Sequence, residues 1–450
     1  MSVPADVAGE QYTDAKYDAK HRQATRKIFR YLMPILLFAY FMAFVDRTNV
    51  GLAKERMEVD VGLSATAYGL GAGLFFITYA LLEVPSNLML HKIGARVWIA
   101  RIAITWGLIS SAMMFVSGPV SFYVLRMLLG AAEAGLFPGI MYLITVWFAQ
   151  KDRAKAVGIV LLAAVAALMI ANPIGGGLML LDGAGGLHGW QWMFLIEGIP
   201  PVLIGIYILF RLPNGPRDAR FLDEEEKAIV LARVAPPDDG SGESVGMILR
   251  TVSRQPFLLL IAAIYFINQI VTYGVVFFVP SIVESMGVDG SFVIGLVSAV
   301  AYIGSFVGAI VVPRINTRIN RPAAIIVVLT VVLAVLTVPF LTIDNAVIQM
   351  ILLVVMGFCI TGVQPLYWSL AMGRVLGAQA AAGLALVNTI GLVGGFVGPY
   401  LFGISEGVTG SPLSGMAVVG VLSAVAVVIV LPLTRALRRH DAKTGAMLEV

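Results

Sequence analysis

Twelve apolar segments, each long enough to cross a lipid bilayer, follow one another along this chain of 450 residues. A membrane-spanning helix needs about 20 mostly apolar residues. A transmembrane barrel is excluded, because its strands would alternate apolar and polar residues over about ten positions. Numbered span 1 to span 12, the segments lie at about 28–50, 66–90, 96–117, 120–148, 154–180, 191–211, 256–282, 292–313, 322–342, 346–372, 379–405 and 412–434.

The composition excludes a water-soluble globule. Hydrophobic residues make up 59% of the chain and charged residues 13%, whereas soluble domains carry about 25% charged residues. The predicted fold class is therefore an all-α membrane protein with twelve transmembrane helices.

One long polar stretch divides the spans into two sets of six, and two proline pairs of similar spacing occur at matching places in the sets. Pro138 and Pro173 in the first set correspond to Pro365 and Pro399 in the second, and a glycine lies four residues after each second proline. This pattern favours two parallel halves related by an axis along the membrane normal. The predicted parts are a tail at 1–27, a half at 28–212, a linker at 213–255, a half at 256–434 and a tail at 435–450. Within the linker, the acidic run from Asp223 predicts a short surface helix, and Pro236 to Gly242 predict a flexible stretch.

The basic residues indicate the orientation. Of the 31 Lys and Arg residues, all but four lie on the side of the termini, in the tails, in the connections or in the adjoining ends of the spans. Lys54 and Arg56 are predicted in an opposite loop, and Arg47 and Arg126 lie within spans. Because positive charge is retained in the cytoplasm, both termini are predicted to be cytoplasmic. The net charge of +4 then reflects topology, and no nucleic-acid partner is predicted.

The residues that catalytic and metal sites need are scarce. Cys359 is the only cysteine, and all four histidines fall at predicted helix ends or in loops. Zincin and histidine-box signatures are absent from the sequence. We therefore predict no enzyme activity, no metal and no cofactor.

Apart from the basic residues at the span ends on the side of the termini, six ionisable side chains fall inside the spans, where a central charge costs roughly 2.5–3.5 kcal/mol: Asp46, Arg47, Glu83, Arg126, Glu133 and Glu197. Arg126 and Glu133 are two helical turns apart and share a face of span 4. With Asp46 and Arg47 they predict a cluster of two acids and two bases. Glu83 is predicted to brace a neighbouring loop, and Glu197 to lie in the interfacial belt.

Two interpretations of that cluster stay open. The four side chains could be salt bridges that fix helix packing. They also suit a proton-coupled anion site, because a guanidinium holds a carboxylate through two hydrogen bonds and a buried carboxyl group can load and release a proton.

Two motifs together resemble the anion:cation symporter family of the major facilitator superfamily. Asp46-Arg47-Thr48-Asn49 is similar to the signature that ends span 1 in that family, and Arg126-x-x-x-Gly130-x-x-Glu133 is similar to its span 4 signature. Further stretches with this resemblance are 83–87, 94–96 and 189–194. The match extends over essentially the whole chain.

The resemblance implies import of a small organic carboxylate with protons by alternating access. It implies a monomer in the lipid bilayer of the bacterial cytoplasmic (inner) membrane. Arg47 would hold the carboxylate, Asp46 and Glu133 would carry protons, and Arg126 would be the electrostatic partner of Glu133. An exporter or a sodium-coupled carrier on the same fold stays open.

The resemblance also implies substrate contacts in both halves: Tyr79 on span 2, Trp368 and Ser369 on span 10, and Asn388 on span 11. Tyr273 and Gln269 on span 7 are further candidates, and helix packing is the alternative role for Tyr79, Trp368 and Asn388. Several sugar-acid transporters of the family carry a glutamine midway along span 5, where this chain has Ala164. Among aromatic acids, dicarboxylates and sugar acids, this difference favours the first two.

Overall fold

The computed structural model describes residues 15–234, 254–372, 374 and 377–444. All regular secondary structure in these residues is helical, and twelve stretches are long and apolar enough to cross a membrane. The predicted all-helical fold with twelve spans is confirmed.

Within the described residues, ten spans are single helices and two are broken. The single helices are Ala15–Val61, Ala65–Ile93, Ala95–Ala112, Gln150–Leu178, Gly189–Arg211, Pro256–Ser285, Ser291–Ile319, Pro322–Thr342, Gly377–Thr409 and Gly415–Thr444. Span 4 consists of Pro119–Glu133 and Leu136–Trp147, and span 10 of Ala346–Gly362 and Gln364–Met372.

Helix packing repeats with a shift of six spans. Span 1 packs on span 5, span 2 on span 4 and span 3 on span 6, as span 7 does on span 11, span 8 on span 10 and span 9 on span 12. Across the halves, span 2 packs on span 11 and span 8 packs on span 5. A shift of six spans converts the contact of spans 2 and 11 into the contact of spans 8 and 5. The packing therefore supports the two parallel halves that the proline pattern predicted.

The predicted surface helix in the linker is Glu224–Arg233, and it lies against span 1. Asp223 accepts the Glu226 backbone N–H at 2.7 Å, and the Glu226 carboxylate accepts the Asp223 backbone N–H at 3.0 Å, which forms a capping box. Glu226 is fully buried and also receives the Lys27 ammonium group at 2.7 Å. This ion pair fixes the helix to span 1. The predicted flexible stretch at 236–242 lies outside the described residues.

The two halves meet backbone to backbone on the side of the bundle where span 1 ends and span 2 begins, which we call the distal side. A Cβ atom on Gly69 would lie 2.3 Å from the Pro399 carbonyl oxygen, and one on Gly176 would lie 2.4 Å from that of Ser291. The Tyr68 hydroxyl group donates to the Phe277 carbonyl at 3.0 Å. These approaches close the distal side.

Lys54 lies in this closure and not in a loop, so its predicted position was wrong. Span 1 continues as a helix to Val61 and carries Lys54 between the halves, where its side chain has no solvent exposure. The Lys54 ammonium nitrogen is 2.8 Å from a Glu406 carboxylate oxygen of span 11 and 2.7 Å from one of Glu55. A buried lysine therefore joins the two halves through an ion pair.

Replacing Lys54 by Met should leave the Glu406 carboxylate, which is only 11% exposed, without its cation. Because breaking one side of a buried ion pair costs about 3–5 kcal/mol, we expect a clear fall in the melting temperature of the detergent-solubilised protein. The double variant Lys54→Met/Glu406→Gln should recover part of that loss. Arg56→Met, two residues along and exposed, is the control. A Lys54→Met protein with the same melting temperature as the Arg56→Met control would contradict a stabilising role for the buried ion pair.

Candidate functional site

Arg47 is the centre of a buried polar group on span 1. Its guanidinium group forms an ion pair with the Glu133 carboxylate, and its other terminal nitrogen donates to the Tyr273 hydroxyl oxygen at 3.5 Å. Three aromatic rings surround the guanidinium carbon, with centroids at 4.9 Å for Phe44, 5.2 Å for Phe75 and 5.5 Å for Tyr79. Because Tyr273 belongs to span 7, Arg47 contacts both halves.

A break in span 4 directly follows Glu133. The first helix of the span ends at Glu133, and Gly135 takes a φ of 92° before the second begins. Pro138 has no N–H, so the Ala134 carbonyl loses the donor that a continuous helix would supply. The Ser86 hydroxyl group of span 2 donates to that carbonyl at 2.6 Å. A serine on a neighbouring span thereby holds the segment that carries Glu133.

Asp46 lies apart from the Arg47 ion pair, although the two residues are adjacent. Its carboxylate accepts the Trp106 indole N–H at 3.2 Å and a hydrogen bond from the Ser110 hydroxyl, both from span 3. Neighbouring residues on a helix point about 100° apart, which directs Asp46 into the first half and Arg47 toward the second. Within the described residues, Asp46 has no ion-pair partner.

Arg126 is fully buried, and it does not pair with Glu133 in this conformation. One terminal nitrogen donates to the Ala72 carbonyl at 3.2 Å, while its other two nitrogens have no hydrogen-bond acceptor among the described residues. The Phe75 ring lies 5.0 Å from the Arg126 guanidinium carbon and also contacts Arg47. The four predicted charges are thus all buried, with one ion pair among them.

The predicted substrate contacts divide into two groups. Tyr79 and Tyr273 lie beside Arg47. The Trp368 ring packs on the Tyr265 ring, with 5.1 Å between their centroids. The Ser369 hydroxyl group donates to the Leu366 carbonyl of its own helix at 2.9 Å. Asn388 is half-buried, and Gln269 is buried against span 11. In the described part of the chain, none of the contacts of Trp368, Ser369 or Asn388 reaches Arg47.

Two of the predicted peripheral roles need correction. Glu197 is 5% exposed and accepts the Asn49 amide at 3.0 Å, so it lies inside the bundle and not in an interfacial belt. Glu83 makes no hydrogen bond or ion pair with described residues, and Ser86 supplies the predicted bracing instead. Pro138 was the signal in the sequence that could have indicated Ser86. Because proline has no N–H, the carbonyl four residues before it needs a donor from another part of the chain.

Metal binding has no support in the described residues, where no group of three His, Cys, Asp or Glu side chains is placed to hold an ion. The polar groups that the structure brings together are one ion pair, two tyrosine hydroxyl groups and a second arginine. Such a set can bind an anion and exchange protons.

The chain is similar to a known protein family and to individual proteins over most of its length. A family model described as Major Facilitator Superfamily matches residues 36–399. A quinolone resistance transporter of Acinetobacter baumannii is 38% identical over 387 residues, 86% of this chain and 89% of the relative. A putative tartrate transporter of Agrobacterium vitis is 37% identical over 421 residues, 93% of this chain and 96% of the relative.

A solved structure shares the fold. The bacterial homologue of the human lysosomal transporter Spinster, in an inward-facing and unoccupied conformation, has a TM-score of 0.74 at 17% identity. The match covers 91% of this chain and 97% of that chain. The predicted arrangement of two six-helix halves is confirmed.

Replacing Ser86 by Ala should remove the donor to the Ala134 carbonyl. A buried carbonyl left without a donor costs about 1–3 kcal/mol, so we expect a measurable fall in melting temperature. The matched control is Ser285→Ala, because the Ser285 hydroxyl bonds a carbonyl of its own helix at an exposed position. Equal melting of the two variants would show that the break in span 4 does not depend on Ser86.

Proposed function

The chain belongs to the Major Facilitator Superfamily, and we propose that it is a secondary active transporter that imports a small organic carboxylate with protons by alternating access. Membership of the superfamily makes the chain a membrane transporter. The proposal concerns the substrate, the direction of transport and the driving ion. It rests on the buried ion pair between Arg47 and Glu133.

The ion pair explains why proton and anion would bind together. Protonation neutralises the Glu133 carboxylate. The positive Arg47 guanidinium group then lies buried without a counter-ion. A substrate carboxylate replaces that charge and can form two parallel hydrogen bonds with the guanidinium. When the proton leaves, Glu133 competes for Arg47 and the anion is released.

The closed distal side supports alternating access. The backbone contacts of spans 2 and 11, together with the ion pair of Lys54 and Glu406, hold the halves together there. Opening that side would have to separate Lys54 from Glu406. With the termini in the cytoplasm, as the basic residues predict, the distal side is the outer one, so this conformation is closed to the outside.

The residues around Arg47 favour a compact carboxylate. Tyr79 and Tyr273 offer two hydroxyl groups and two rings, and the predicted contacts Trp368, Ser369 and Asn388 would have to approach as the halves rock. Ala164 of span 5 is buried and offers no side-chain hydrogen bond. An aromatic acid or a dicarboxylate suits this set, and the relative named a putative tartrate transporter supports a dicarboxylate.

A second candidate function is export, and one relative favours it. The quinolone resistance transporter from Acinetobacter baumannii bears a name that implies removal of a drug from the cell. Quinolones are aromatic carboxylic acids, so the same Arg47 site would serve. A sodium-coupled carrier is the other alternative, and proteoliposomes with either a proton or a sodium gradient distinguish it from proton symport.

Ligand binding should depend on Arg47. We expect at least one of benzoate, tartrate, succinate and gluconate to raise the melting temperature of the purified protein, and Arg47→Ala to abolish that rise. The loss of one partner in a buried charge pair costs about 2–5 kcal/mol of binding free energy. Arg56→Ala, exposed on the same helix, is the control. A carboxylate that still stabilises Arg47→Ala would move the anion site to Arg126 or elsewhere.

Proton coupling should depend on Glu133. In proteoliposomes loaded and tested with tartrate, or with the carboxylate that stabilises the protein, Glu133→Gln should lose uptake driven by a proton gradient. It should retain exchange of labelled for unlabelled solute, because exchange needs no net proton movement. Glu284→Gln, at the exposed end of span 7, is the control. Unchanged gradient-driven uptake in Glu133→Gln would remove Glu133 from the coupling mechanism.

A further inference from the structure

Glu197 is a buried carboxyl group for which the mechanism above has no use. It lies on span 6, and one of its oxygens accepts the Asn49 amide at 3.0 Å. The other oxygen is buried and has no hydrogen-bond partner among the described residues. No lysine, arginine or histidine of the described chain is within ion-pair distance of it.

Apolar side chains lie near the second oxygen. A Cβ atom on Gly175 of span 5 would lie 3.4 Å from that oxygen, and it would also touch side-chain atoms of Met193 and Leu52. On the neighbouring face of span 3, Trp106 and Ser110 both donate to Asp46. Among the groups facing Glu197 from spans 1, 3 and 5, Asp46 is the one that titrates.

Asn49 lies between two carboxyl groups. It is three residues after Asp46 on span 1, which places both on one face of the helix, and its amide donates to Glu197. Asp46 is close enough to Glu197 for their charges to interact. Arg126 of span 4 attracts Asp46 electrostatically, whereas Glu197 is repelled by Asp46 and has no described cation within ion-pair distance. A proton on Glu197 therefore removes a buried negative charge that no cation balances.

We propose that Glu197 is a third proton-carrying carboxyl group of the transporter, coupled electrostatically to Asp46 across Asn49. The proton enters and leaves through water on the side to which the site is open, as an O–H bond on Glu197 forms or breaks. This inference rests on the proposed proton symport. It extends that symport by adding a proton site that Arg47 does not contact.

A purely structural role for Glu197 makes a different prediction. In that role the side chain is an acceptor that ties span 6 to span 1 through Asn49. A glutamine has nearly the same shape and keeps an oxygen acceptor for the Asn49 amide, but it cannot bind a proton in this range. Glu197→Gln therefore preserves the structural bond and removes the titration, whereas Glu197→Leu removes both.

The test is infrared difference spectroscopy of the purified protein between acidic and neutral pH, which needs no substrate. We expect the parent to show a protonated-carboxyl C=O band that changes with pH, and Glu197→Gln to lose that band while melting like the parent. Glu284→Gln, an exposed glutamate replaced in the same way, should retain it. Identical difference spectra for the parent and Glu197→Gln, or a Glu197 band that does not respond to pH, would overturn the proposal.

A transport measurement separates this proposal from the one on which it rests. With tartrate or the stabilising carboxylate in proteoliposomes, the parent should respond to a proton gradient, and Glu197→Gln should shift the pH at which uptake is half-maximal. A parent that ignores the proton gradient contradicts the proposed symport. The other contrary result is a parent driven by the proton gradient, with a Glu197→Gln variant of unchanged pH profile and a Glu197→Leu variant that only loses stability. That result would make the role of Glu197 structural and contradict the further inference.

Discussion

The ion pair between Arg47 and Glu133 is the interaction on which the polar interior of this bundle depends. A guanidinium group cannot lose its charge in a protein, so a buried arginine requires a negative partner or an aqueous path. The structure supplies that partner from span 4 and adds a hydroxyl group from span 7. Arg47 thereby joins three spans from both halves, and any event that neutralises Glu133 leaves the guanidinium group without its counter-ion.

Two other buried charged side chains meet a similar requirement. Lys54 is paired across the halves with Glu406, and Asp46 accepts hydrogen bonds from Trp106 and Ser110. The backbone follows the rule too, because an unpaired carbonyl is costly where water is absent. On span 7, Pro280 removes the donor for the Val276 carbonyl, and the Tyr302 hydroxyl bonds that carbonyl at 3.2 Å. Ser86 does the same at the break in span 4.

The contacts that close the distal side are of two kinds, and the difference between them has a consequence for motion. The distal side is closed by backbone contacts at glycines and by one ion pair. Close-packed glycines permit sliding without a change of side-chain packing, whereas an ion pair has two distinct states, made and broken. The rocking of the halves is thus expected to be limited by Lys54 and Glu406 more than by the apolar contacts.

Much of the site could be predicted from the sequence because charge inside an apolar segment is conspicuous by itself. Arg47, Glu133, Asp46 and Arg126 were identified this way, and all four are buried. The partners could not be predicted, because a period of 3.6 residues gives the face of a helix but not the helix that covers it. Glu133 meets Arg47 and not Arg126, Asp46 turns to span 3, and Glu197 is in the core and not at an interface.

The sequence by itself determined the number of spans, the division into two sets of six and the identity of the charged residues. The apolar runs must cross the membrane as helices because only a helix satisfies its own backbone there. Only the tertiary structure decided how far span 1 extends, and so that Lys54 is a buried link between the halves. It also decided which carboxyl group each cation meets. Those outcomes depend on packing between residues that are distant in sequence, such as Lys54 and Glu406. A local sequence pattern does not indicate which distant residues meet in space.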